Sequence, residues 1–413
     1  LKAIQGAPGA RRTTLALAVG AMLLLVSACG GSASGDSKDG DKAKPGASAS
    51  QGGKGDTTES QAVVTIAPED GADEVATTGD LKVTAGKGKL TSVVVKSGKG
   101  DPVEGKISTD GTSWEPTETL GTSTKYSVDA IAKDGAGRES AKHASFTTVT
   151  PKDTFIGFFT PEDGQTVGVG MPVSLKFNRA ITDKKAVQDA IKVTANPSVP
   201  VVGHWYGDQR VDFRPEKYWA KGTKITLSLR LNGVEAAKGV YGTQSKDVHY
   251  TIGRSQVSIV DAAKHTMKVY RDGKLTKTIP ITSGGPGTTT YNGKMVITER
   301  YKVTRMNGDT VGFGGEYDIK DVPNAQRLTT SGTFIHGNYW ASPGTFGNSN
   351  VSHGCVGLRD VRGGNGNTPS SWFYNNSMIG DVVEVKNSHD KTVQWWNGLN
   401  GWNLPWSQWT PAS

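Results

Sequence analysis

Two short segments carry residues able to do chemistry together. The first is Thr333-Phe-Ile-His336-Gly337, and the second is Ser352-His353-Gly354-Cys355-Val356-Gly357-Leu358. A thiol attacks as its thiolate, and a nearby imidazole can take its proton. Such a base needs a third group to fix its other ring nitrogen. A backbone carbonyl can serve, and Gly337 offers one that no side chain obstructs. Gly354, beside the Cys, permits a tight turn and could present N–H groups to an oxyanion. Composition alone leaves a second reading open, in which Cys355 is a small buried hydrophobe and His353 or His336 an ordinary loop residue.

The chain has only one other Cys, Cys29. Two cysteines exclude a disulfide-built scaffold and a Cys-based zinc site. Cys29 follows an apolar run, Leu15–Val26, preceded by Lys2, Arg11 and Arg12 with no acid. Twelve residues match a signal h-region and fall short of a membrane-spanning helix. The run ends in Val26-Ser27-Ala28-Cys29-Gly30, which resembles a bacterial lipobox. That resemblance implies export, a lipid on the Cys29 thiol, and attachment to the outer face of the cytoplasmic membrane. An ordinary signal followed by a chance Cys is the alternative. Loss of residues 1–28 would take the formal net charge from +8 to +5. Residues 29–61 are Gly, Ser, Asp, Lys, Thr and Ala with few large apolar groups, and read as a flexible tether. Such a tether has an r.m.s. span of about 30 Å.

The remaining pattern predicts β-structure. There are 54 Gly and 18 Pro in 413 residues, which favours turn-rich folds. Pro68-Glu-Asp-Gly71 recurs as Pro161-Glu-Asp-Gly164, and Trp114 recurs at a similar offset as Trp205. Tyr126, Val128 and Ala130 alternate with polar residues, as do Ile225, Leu227, Leu229 and Leu231, which predicts half-buried strands. The reading is two tandem immunoglobulin-like sandwiches, residues 62–150 and 151–253. His143, His204 and His249 stand alone there, and the loop Asn232–Glu235 has too few oxygen donors for calcium. From residue 254 the chain stays β-rich. Asp272-Gly273 signals a hairpin, and Lys294–Thr298 and Asp381–Val385 read as strands. Ser370–Met378 reads as a short helix capped by Ser370 or Ser371. The Gly-rich stretch Met306–Gly315 suits a mobile flap.

His336, fifteen intervening residues, then Ser352-His353-Gly354-Cys355 resembles the signature of the L,D-transpeptidase catalytic domain family. The resemblance covers about 254–410. It includes Trp402-Asn-Leu-Pro-Trp406-Ser-Gln-Trp409, which is similar to the C-terminal extension of actinobacterial members. It implies a mainly β protein: the two sandwiches, a catalytic domain over 254–386, and a Trp-rich extension over 387–413. It further implies Cys355 as nucleophile, His336 as general base and acid, and the Gly337 carbonyl as orienter. Ser331 and Gly332 match a pair that contacts substrate, Tyr317 a flap Tyr that lines the pocket, and Ser352, His353 and Gly354 shape the site. Trp340 could line the pocket, but packing under the spacer loop is the stronger expectation. Many members carry Asn or Arg where this chain has Gly357, and Arg359 is the nearest side chain that could substitute.

The implied activity is formation of 3→3 peptidoglycan cross-links through an acyl-enzyme on Cys355, with release of D-Ala from tetrapeptide stems. The implied partners are donor and acceptor stems and a membrane, with no nucleic acid, no metal or organic cofactor, and a monomeric chain. The same site could instead serve an L,D-carboxypeptidase. The domain order also fits a wall-binding lipoprotein without catalysis.

Overall fold

The Pro-Glu-Asp-Gly repeat follows the strand Val63–Ala67 in the first of two β-sandwiches and the strand Gly157–Thr160 in the second. In the computed structural model, which describes residues 59–312 and 314–410, Asp70 and Asp163 do the same work. Asp70 Oδ1 accepts the Ser145 amide at 2.7 Å, and Asp163 Oδ1 accepts the His249 amide at 2.7 Å. The following Gly amides, Gly71 and Gly164, donate to the Ser145 and His249 carbonyls. Each repeat therefore clips the start of the domain to its last long strand. The proposed signal segment, Cys29 and nearly all of the tether lie outside the described residues. Ser60 and Gln61, at the tether's end, already bond to Arg138 and Asp134 of the first sandwich.

In the first sandwich, strands Val63–Ala67, Lys82–Gly86, Ser113–Pro116 and Gly105–Ile107 form one sheet in that order. Ala72–Val75, Glu139–Thr148, Lys125–Lys133 and Lys89–Ser97 form the other. The second sandwich repeats this plan. Gly157–Thr160, Val173–Phe177, Arg210–Arg214 and Val202–Tyr206 face Thr166–Val167, Ser245–Ile252, Lys224–Arg230 and Ile191–Asn196. Period-two alternation buries Tyr126, Val128 and Ala130 in one core and Ile225, Leu227 and Leu229 in the other. The Trp repeat does not survive. Trp114 lies on the third strand of its sheet and is buried, whereas Trp205 lies on the fourth, an edge. Their similar offset has no structural equivalence behind it.

The core of the second sandwich continues into the C-terminal domain, where Val296, Val382 and Trp402 join the cluster containing Val169, Met171 and Trp219. That domain is built on a nine-stranded sheet. Its order is Gly293–Val296, Val382–Lys386, Gln256–Asp261, Thr266–Arg271, Lys274–Thr282, Val356–Arg359, Phe334–Asn338, Asp318–Arg327, Glu299–Asn307. Asp272-Gly273 makes the expected hairpin turn. The short helix is Pro369–Asn375, and its cap is Thr368, whose hydroxyl accepts the Ser371 amide at 3.1 Å. Pro369 takes the first helical position, where no N–H is needed. Ser370 and Ser371 are buried inside the helix rather than capping it. The flap stretch folds as a hairpin tip with a 3-10 turn at Gly308–Val311. No helix among the described residues is long and apolar enough to cross a membrane.

Candidate active site

The sheet brings the two chemical segments together. Phe334–Asn338 and Val356–Arg359 are parallel neighbours, with Ile335 opposite Val356 and His336 opposite Gly357. Parallel neighbours need a long crossover, and residues 339–355 supply it. Side chains alternate along a strand, so His336 and Cys355, two residues before Gly357, share one face. Gly357 puts no side chain between them. A cavity of about 460 Å³ opens on this face. Its walls are His336, Asn338 and Trp340, the Val351–His353 loop with Cys355, and Met306, Tyr317 and Ile319 of the flap hairpin.

His336 is buried, and its Nδ1 lies 2.8 Å from the Gly337 carbonyl. That bond makes Nδ1 the N–H donor and leaves Nε2 as the basic nitrogen. The ring stacks on Trp340 at 5.7 Å and 15°. Burial holds the imidazole below its ordinary value, against the raising influence of the Gly337 bond and the Asp360 carboxylate. His336 is therefore a neutral base at neutral pH. Cys355 is a free thiol. Its Sγ accepts the Phe334 amide at 3.4 Å and donates to the Gly332 carbonyl at 3.7 Å. Burial pushes it up to about 11, with the Phe334 amide pulling the other way. These shifts favour a thiol beside a neutral imidazole as the resting pair.

The remaining predicted residues fall into two groups. Ser352 donates to the Cys355 carbonyl at 2.6 Å and accepts the Gly354 amide at 3.3 Å, so it holds the turn that presents the thiol. Tyr317 lines the cavity and packs its ring on His353 at 5.0 Å. Burial, followed by the charge of Cys355, pushes the Tyr317 phenol up to about 12, so it is a hydrogen-bond donor at neutral pH. His353 Nε2 lies 3.1 Å from Glu316, tying the Ser-His-Gly-Cys loop to the flap. Gly332, at φ 99°, turns its carbonyl to the thiol and leaves room for the flap's Val311, which a Cβ there would meet at 2.3 Å. Ser331, its neighbour, lies outside the cavity wall and bonds to Asn397. Trp340 is 43% exposed at the cavity mouth, not packed beneath the loop.

A larger groove of about 1140 Å³ lies where the two sandwiches meet, but its walls carry no Cys or His. Among the described residues no group of three or more His, Cys, Asp or Glu could hold a metal ion.

Residues 255–385 match the L,D-transpeptidase catalytic domain, and residues 72–235 match a bacterial Ig domain. The chain is 34% identical over 351 residues to L,D-transpeptidase 2 of Mycobacterium tuberculosis (strain CDC 1551 / Oshkosh), covering 84% of this chain and 83% of the relative. The chain belongs to the L,D-transpeptidase family. It is also 31% identical to L,D-transpeptidase 5 of Mycobacterium tuberculosis (strain ATCC 25618 / H37Rv), over 85% of this chain and 76% of that one. The solved structure of LD transpeptidase LdtMt1 in complex with imipenem is 25% identical, with a TM-score of 0.48, and covers 57% of this chain and 100% of its own.

In this L,D-transpeptidase two polar residues beside His336 and Cys355 escape sequence reasoning. Asp360 is buried and accepts from Asn324 at 2.7 Å and Thr368 at 2.8 Å. A Cβ on Gly337 would stand 2.2 Å from Asp360 Oδ2, so Gly337 serves close approach of this carboxylate as well as His336 orientation. Asn338 answers the question raised by Gly357. A Cβ on Gly357 would meet Thr282 Cγ2 at 2.8 Å and Asn338 Nδ2 at 3.5 Å, so the Asn338 amide stands where a residue at 357 would reach. Arg359 is exposed and does not line the cavity, so it does not substitute. The signal for Asn338 was its place two residues after His336 on a strand. For Asp360 there was none, because a lone Asp in a loop has no pattern.

Proposed function

We propose that this transferase forms 3→3 cross-links between peptidoglycan stem peptides. The observation that carries the reading is a free thiol sharing one cavity with an imidazole whose Nδ1 is anchored to Gly337. As Cys355 Sγ attacks the carbonyl of the third stem residue, His336 Nε2 takes the thiol proton. The C–N bond to the terminal D-Ala breaks, His336 returns the proton to the leaving amine, and a thioester forms. An amine from a second stem then attacks, giving its proton to His336. The new C–N bond forms and the thiol is regenerated with that proton. The Tyr317 hydroxyl and the N–H groups around Gly354 serve the oxyanion. Strained β-lactams such as carbapenems should acylate the same sulfur.

The test is incubation of the full chain with disaccharide-tetrapeptide and mass analysis of products. A 3→3 dimer that vanishes in Cys355→Ala supports the reading. A tripeptide alone would assign an L,D-carboxypeptidase, and dimer made by Cys355→Ala would overturn the nucleophile. We also propose export and lipid attachment at Cys29, on the strength of the apolar run and the small residues before it. Two or more acyl chains anchor stably where one does not. Cys29→Ala should move the protein from the membrane fraction to the soluble one.

A further inference from the structure

The second sandwich does more than space the catalytic domain from its tether. We propose that Asn397, in the Trp-rich extension, is a positioning residue for the nucleophile, braced from behind by Arg210 of the second sandwich. Asn397 Oδ1 accepts the Thr330 hydroxyl at 2.8 Å and the Ser331 amide at 3.0 Å. Its Nδ2 donates to Ser331 Oγ at 2.8 Å. One amide side chain thus grips the turn whose next residue, Gly332, offers its carbonyl to the Cys355 thiol at 3.7 Å.

The grip has a backstop. Arg210 donates to the carbonyls on either side of Asn397, Gly398 at 2.8 Å and Trp396 at 3.3 Å. Arg210 is held in turn by Asp212, which is buried and pairs with its Nε at 2.9 Å. Below the grip, Asn400 Nδ2 donates to the Leu328 carbonyl at 2.9 Å, tying the extension to the start of the same turn. The path from the second sandwich to the nucleophile is therefore Asp212, Arg210, the 396–398 backbone, Asn397, Ser331, Gly332, Cys355. Each link is a hydrogen bond or a covalent neighbour. This rests on Cys355 as the nucleophile.

Loosening the turn has two effects of opposite kind. A carbonyl that accepts the S–H favours the neutral thiol, so its departure makes the thiol more acidic. The sulfur also loses its fixed position, and misplacement by about 1 Å costs up to ~100-fold in rate. In full-length Asn397→Ala the midpoint pH of Cys355 alkylation by iodoacetamide should fall, while acylation by a carbapenem slows about tenfold or more. Asn397→Asp keeps the acceptor for Thr330 and Ser331 and should recover most of the acylation rate. Asn403→Ala is the control. It removes bonds of 2.8 and 2.7 Å to Lys294 and one of 2.9 Å to the Asn400 carbonyl, and its side chain makes none of the bonds to Thr330, Ser331 or Gly332. It should leave both readouts unchanged at a comparable loss of Tm. If Asn397→Ala does not fold, Thr330→Val removes one donor from the other side of the grip and should move both readouts in the same directions.

Unchanged acylation and midpoint in Asn397→Ala, or equal effects in Asn397→Ala and Asn403→Ala, would overturn the proposal. Alkylation reads the thiol directly, so the midpoint shift stands or falls even if the 3→3 product is never found.

Discussion

Cys355 rests as a neutral thiol, and this can be tested by its reaction with a small electrophile. A thiol at about 11 is ionised in about one molecule in 10,000 at pH 7, against about one in 100 at the ordinary value of 9.0. The rarer thiolate is the more nucleophilic, and a Brønsted slope near 0.5 returns roughly tenfold of that loss. Iodoacetamide should therefore alkylate Cys355 about tenfold more slowly at pH 7 than it alkylates an exposed thiol. The logarithm of the rate should climb with unit slope from pH 7 to about 10. The assay is intact mass against time over pH 6 to 10, with one labelable thiol expected on a chain whose Cys29 is acylated.

Under the proposed mechanism, acylation by a carbapenem should behave differently, because there His336 would take the proton during attack. Burial keeps His336 neutral below its ordinary range, so acylation should persist to pH values under 6.5. His336→Gln should slow acylation by about 100- to 10,000-fold and leave alkylation at pH 10 nearly unchanged. An alkylation profile that levels off below pH 8 would refute the reasoning, since it would mean a preformed thiolate–imidazolium pair.

Gly337→Ala should be poorly tolerated, because its Cβ would sit 2.2 Å from Asp360 Oδ2. A loss of about 1–3 kcal/mol by denaturant titration should accompany a fall in acylation. Asp360→Asn removes a charge that supports protonation of His336. The acid limb of the acylation profile should move to lower pH, and acylation at pH 7 should slow as the base weakens. Arg214→Ala should destabilise the docked extension by about 1–3 kcal/mol, because it leaves two buried carbonyls without their donor. Its guanidinium lies 4.1 Å over Trp409 and donates to the Gly401 and Leu404 carbonyls at 3.2 and 2.9 Å. Calorimetry on the full chain would check this.

The architecture was legible where the signal was local. The Pro-Glu-Asp-Gly repeat, the period-two strands and the Asp272-Gly273 turn each encode their geometry within a few residues. The capping error at Ser370 and Ser371 is also local. The Pro at 369 marks the first helical position and so shifts the cap to Thr368. The spacing of His336 and Cys355 pointed to the family through its resemblance to a known signature, whereas the parallel pairing of their strands, which needs a long crossover, is visible only in the fold.

The sandwich plan, the family and the proposed pair of reacting groups could be read from the sequence alone. What surrounds them depends on how the chain folds. Asp360, Asn338 and Asn397 come to lie around the proposed reacting pair through sheet register and domain docking, and no periodicity marks them in advance. The protonation state of the pair is likewise a tertiary property. Desolvation by the closed sheet and flap, not the identity of the residues, pushes Cys355 up and His336 down.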